Sequence, residues 1–158
     1  MRWITELKSW QVLFILVVPG FVGALLPLEW SASVALVAVP GLLMYGWQWF
    51  AVRALLARIP DNRRPNTVAF QIAGAYAVTY FTGFMVSIAT FSIDGIFEFI
   101  GPFHVAAMFA SLYMYWFVSK VTTLVRGDDQ AWVRFATFIV FSPLAIWRTQ
   151  GVVSEVRV

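Results

Sequence analysis

The chain has no cysteine, so disulfides, iron–sulfur clusters and thiol nucleophiles are excluded. It has little charge: only 12% of its 158 residues are Asp, Glu, Lys or Arg, and His104 is the single histidine. A soluble globule of this length needs more polar surface than that, and 61% of the residues are apolar. Lipid is therefore the expected solvent. The scarcity of carboxylates in the apolar stretches also counts against ion-coupled transport, which normally relies on ionisable groups within the membrane.

The chain does hold long stretches free of charge. Ser9 to Leu28, Trp30 to Val52, Pro65 to Ile93 and Phe99 to Ser119 count 20, 23, 29 and 21 residues, against roughly 20 for a helix that crosses hydrocarbon. The first run is longer than the apolar core of a signal peptide, carries Trp10 as an interfacial anchor and lacks an Ala-x-Ala site, so an uncleaved first helix is expected. With four spans, all 11 Lys and Arg residues fall in the N-terminal arm, the second connection and the C-terminal part. The other two connections carry only Glu29, Asp94 and Glu98. The positive-inside rule then puts both termini in the cytoplasm. A net charge of +3 without a basic stripe or reader module does not fit nucleic acid, whereas anionic headgroups match basic residues placed at membrane ends.

The second connection, Ile59-Pro60-Asp61-Asn62-Arg63-Arg64-Pro65-Asn66, reads as a tight solvated bend with Asn66 capping the third helix. Its arginines, with Arg53 and Arg58, act first as topological determinants, and contact with lipid headgroups is the binding role open to Arg53, Arg58, Arg63 and Arg64. A fifth apolar run, Phe135 to Trp147, would rise only about 20 Å as a helix, short of a hydrocarbon core of about 30 Å. Pro143 breaks it, and Trp132, Arg134, Trp147 and Arg148 flank it, as in an interfacial or re-entrant helix spanning 130–147. Asp128 and Asp129 precede it as capping carboxylates.

Pro19-Gly20 and Pro40-Gly41 lie near the middle of the first and second runs. Each proline removes a backbone hydrogen bond, to Ile15 and Leu36 respectively, so both helices should weaken at similar depth. Close packing is the economical reading, and a midplane cavity at Pro19, Gly20, Pro40 and Gly41 is the alternative. Small residues Ala73, Gly74, Ala75 and Ala77 on the third span and Ala106, Ala107, Ala110 and Ser111 on the fourth favour helix pairing over a cavity lined by Tyr76, Tyr80, Tyr113 and Tyr115. His104 with Asp94 and Glu98 is too sparse a set for a metal centre, and no nucleophile, base and orienter occur together.

The segment Phe103-His104-Val105-Ala106-Ala107-Met108-Phe109, followed by Tyr113, Phe117-Val118-Ser119-Lys120 and Pro143-Leu144-Ala145-Ile146-Trp147, resembles a group of small bacterial multi-spanning membrane proteins without an assigned activity. Gln150 is followed here by Gly151, where that group has proline. The resemblance covers the last third of the chain and implies a bacterial inner membrane, with no substrate or cofactor attached.

The sequence thus predicts an all-α integral membrane bundle forming one domain over 1–158. Its four transmembrane helices lie near 9–28, 30–52, 66–92 and 101–123, with the short interfacial or re-entrant helix after them. The expected role is non-enzymatic, as an accessory or lipid-facing subunit of a membrane assembly; the alternative is a small oligomeric transporter or channel. An enzyme using Glu98 and His104 is the weakest reading. Expected partners are membrane lipids, anionic headgroups included, and a membrane-protein partner or a second copy. No metal or cofactor is expected.

Overall fold

A computed structural model describes residues 6–25, 30–90 and 96–155. The helices are α1 (Ser9–Leu25), α2 (Trp30–Leu56), α3 (Val68–Thr90), α4 (Ile96–Arg126), α5 (Ala131–Val140) and α6 (Ser142–Ser154), with one 3-10 turn at Asp61–Arg63. No strand occurs among the described residues. Two stretches, Val34–Leu56 and Val68–Ile88, are long and apolar enough to cross a membrane. At 31 residues α4 is longer than either, about 46 Å, but Tyr113, Tyr115 and Trp116 dilute its aliphatic content. Described α1 is a shorter apolar helix of 17 residues.

Side-chain pairs fix the course of the long helices. At one level Trp49 lies 5.8 Å from Phe70, which stacks on Phe117 at 4.9 Å. At the other, Tyr45 meets Phe81 edge-on at 6.0 Å, and Tyr80 reaches His104. Thus α3 runs antiparallel to both α2 and α4. The ends carrying Arg53, Lys120 and Arg126 therefore gather on one side, and α1 enters beside them through Leu7.

Burial is concentrated toward this basic end. Trp47, Ala51 and Leu55 repeat every fourth residue along α2, and Met114, Phe117, Val118, Val121 and Thr122 follow the 3.6-residue period along α4. Two short helices complete the core. Phe138 of α5 and Ile146, Val152 and Val153 of α6 are buried, and α6 packs against α1 and α2. Beyond Tyr45 on α2 and Ala77 on α3 the described side chains are exposed or only partly buried, Pro40 excepted, and on the same part of α4 only Ala107 is buried.

The connections are closed by the groups their sequences supply. Asn66 Oδ1 accepts from the Val68 N–H at 2.8 Å and so caps α3. Gly127 ends α4 in the left-handed region at φ 70°, where its N–H donates to the Thr123 carbonyl at 2.9 Å. Hydroxyls within the helices bond backward: Ser119 to Tyr115 and Thr122 to Val118, both at 2.8 Å.

The terminal segment departs from the single helix expected over 130–147. It breaks at Phe141 into two helices, with Pro143 inside the first turn of α6, where its missing N–H is harmless. Helix α6 continues through Arg148 to Ser154 because that stretch carries buried groups, Gln150 among them.

Candidate functional site

The polar groups of the bundle collect at the basic end. Gln150 is fully buried, accepts from Trp47 Nε1 at 2.9 Å and donates to the Leu7 carbonyl at 2.9 Å. One amide therefore ties α6 to α2 and to the segment before α1. Gln48 is also fully buried; the Tyr115 hydroxyl lies beside its amide, but neither Gln48 side-chain atom makes a hydrogen bond of good geometry among the described residues. Such an amide costs about 1–3 kcal/mol.

The four arginines singled out around the bend do different work. Arg64 Nε donates to the carbonyls of Leu56 at 3.0 Å and Ile59 at 2.8 Å, and its guanidinium pairs with Asp61 at 2.5 Å, so it closes the end of α2. Arg58 lies 3.5 Å from the Val152 carbonyl and joins the bend to α6. Arg53 and Arg63 are exposed. Arg53 and Arg64 share a cleft of about 550 Å³ between α2 and α3, whose floor includes Trp49, Leu56 and Phe70.

A second and more enclosed cavity, of about 270 Å³, lies between α4, α5 and α6. Arg126, Arg134 and Arg148 line it together with Gln130 and Thr149. Arg134 forms a two-point pair with Asp128 at 2.6 and 2.5 Å and also donates to Thr123 Oγ1 at 2.6 Å. This pairing holds the Asp128 carboxyl well below its ordinary range, at about 2, while Asp128 Oδ1 also accepts from the Gln130 N–H at 3.1 Å. Asp128 is recognisable in the sequence as a capping carboxylate, whereas the convergence of Arg126, Arg134 and Arg148 is not. Their separations of 8 and 14 residues cross two helix boundaries, so no single helical face signals the convergence.

Pro19 and Gly20 lie inside α1, and Pro40 and Gly41 inside α2, and both helices run on past them. Gly41 lies against the Phe81 ring so closely that a Cβ there would clash. The tyrosines separate into two groups. Tyr76 donates to the Phe103 carbonyl at 3.1 Å and Tyr80 bonds His104 Nδ1 at 2.9 Å, whereas Tyr113 packs on Phe117 and Tyr115 stacks on Phe138. Ser111, from the small-residue pattern of α4, turns to Tyr45 of α2 at 2.9 Å. Asp94 and the side chain of Glu98 lie outside the described residues, within which no three His, Asp or Glu groups come together.

Compared with protein families, curated proteins and solved structures, the chain matches none.

Proposed function

We propose that this chain is a four-span integral membrane protein of a bacterial inner membrane, with both termini in the cytoplasm. It acts without catalysis as an accessory or lipid-facing subunit of a membrane assembly. One observation carries the reading. Over 18 residues of each long apolar stretch, Val34–Leu56 and Val68–Ile88, only 29% and 17% are buried within the protein, whereas the core helix of a soluble protein hides most of its apolar side chains. Phe14, Ile72, Val86, Phe103 and Phe109 are all more than half exposed, and acyl chains are the medium that covers such a surface without a penalty.

The positions of the polar groups agree with that solvent. The hydroxyls of Tyr45, Ser111, Ser119 and Thr122 have intramolecular partners, as suits groups shielded from water. The exposed Arg53 and Arg63, with the Arg53–Arg64 cleft, offer cationic groups to headgroups at the basic end. Purification of the full chain in a mild detergent tests the role. The expected result is a retained protein partner or a second copy, together with anionic lipid. A lipid-free lone monomer contradicts it.

A further inference from the structure

We infer that the cavity between α4, α5 and α6 is a binding site for a phosphate-bearing anion, held by Arg126 and Arg148 with the Thr149 hydroxyl. The site is separate from the Arg53–Arg64 cleft.

Charge is the first argument. Of the three guanidinium groups lining the cavity, Arg134 is already neutralised by its two-point pair with Asp128. Arg126 and Arg148 have no hydrogen-bond or ion-pair partner among the described residues, and the one carboxylate that acts on Arg126, Asp128, is already paired with Arg134, so the cavity keeps a surplus of positive charge. Guanidinium groups present paired N–H donors that match phosphate oxygens, and two of them approaching from different helices suit a tetrahedral anion better than a planar carboxylate.

The second argument is a buried donor. Thr149 is 3% exposed, lines the cavity and has no hydrogen-bond partner among the described residues, unlike Thr122 and Thr137, whose hydroxyls donate to carbonyls one turn back. The residue is held rigidly by burial while its hydroxyl opens onto the cavity, free to donate to a group bound there. Gln130 adds an exposed amide at the rim, and no side chain caps the N-terminus of α5 beside it. Arg134 contributes by position: its pair with Asp128 fixes the corner between α4 and α5 and so sets the separation of Arg126 from the α6 donors.

The lining is also amphipathic. Val133, Phe138 and Ala145 form its apolar side, and Val140, Phe141 and Leu144 extend an exposed apolar surface from the same α5–α6 corner. Phosphate is the shared chemistry of a phospholipid headgroup and a soluble phosphate, and the apolar side gives the lipid a path for its acyl chains.

The full chain, purified in an uncharged detergent, is tested with two probes. One is an equimolar mixture of phosphatidylglycerol and phosphatidylcholine, with retained lipid read by native mass spectrometry; the other is inorganic phosphate, read by the thermal unfolding midpoint. The expected result is preferential retention of phosphatidylglycerol, lowered about tenfold or more in R126Q/R148Q. T149V should lower it severalfold. A midpoint raised by inorganic phosphate in the wild type but not in R126Q/R148Q, without lipid preference, also supports the site and assigns it a soluble ligand. Equal retention by wild type and a folded R126Q/R148Q, with no response to phosphate, overturns the inference. Should the double variant fail to fold, R148Q and T149V alone decide between the same outcomes. Membrane insertion is scored separately, by resistance of the chain to alkaline extraction, so loss of the anion site leaves that reading intact.

Discussion

Gln150 shows how much of this fold can rest on one side chain. Its amide joins buried Trp47 Nε1 and the part-buried Leu7 carbonyl. Gln150→Leu keeps the volume close but strands both partners, and each stranded group costs about 1–3 kcal/mol. We therefore expect Gln150→Leu to lower unfolding stability by about 2–4 kcal/mol, measured by denaturant titration in detergent, while Gln150→Glu stays folded only where it can protonate. The sequence marks Gln150 merely as a polar residue beyond an apolar run. Nothing in local spacing reveals a partner 103 residues away. By contrast, Asn66 was legible as a cap, because capping depends on the next two residues alone.

Among the elements, the long helices were the most legible and the terminal pair the least. Charge-free runs at 30–52 and 65–93 correspond to α2 and α3, although α2 continues past Arg53 to Leu56 because Leu55 is buried while Arg53 stays exposed. The apolar run ends at Trp147, with Arg148 beside it as a flanking anchor, so the helix is expected to end there; burial of Gln150, Val152 and Val153 carries α6 on to Ser154. The α4–α5 corner depends on Gly127, Asp128 and Arg134, and its electrostatics are open to titration. The Asp128 carboxyl is depressed from 3.8 to about 2 in the folded protein, chiefly by its hydrogen bonds from Arg134. Its stabilisation is thus complete above the unfolded value and is lost as pH falls from about 4 through about 2. Subtracting the midpoint of Asp128→Asn from that of the wild type should give a difference that is constant at neutral pH and shrinks across that acid window. A difference that grows on acidification would contradict the pairing.

For the whole molecule, the distribution of burial is the governing fact. A core closed by α5 and α6 occupies the basic end, while the opposite part of α2, α3 and α4 presents aliphatic and aromatic side chains outward. Composition alone made hydrocarbon the expected solvent, and an all-helical chain with two long, mostly unburied apolar helices is what the fold displays. The arginine-lined cavity was not legible, because it exists only once α4, α5 and α6 fold back on one another.

Because the chain has no cysteine, single-cysteine labelling has no background, and it tests insertion and orientation together. Asn62→Cys lies in the bend between α2 and α3, and Ser92→Cys lies between α3 and α4 in sequence. With a membrane-impermeant maleimide on intact cells expressing each variant, the account predicts that Ser92→Cys is labelled at once and Asn62→Cys only after permeabilisation. Protection of both positions until the cells are opened, or labelling of Asn62→Cys from outside, would contradict it.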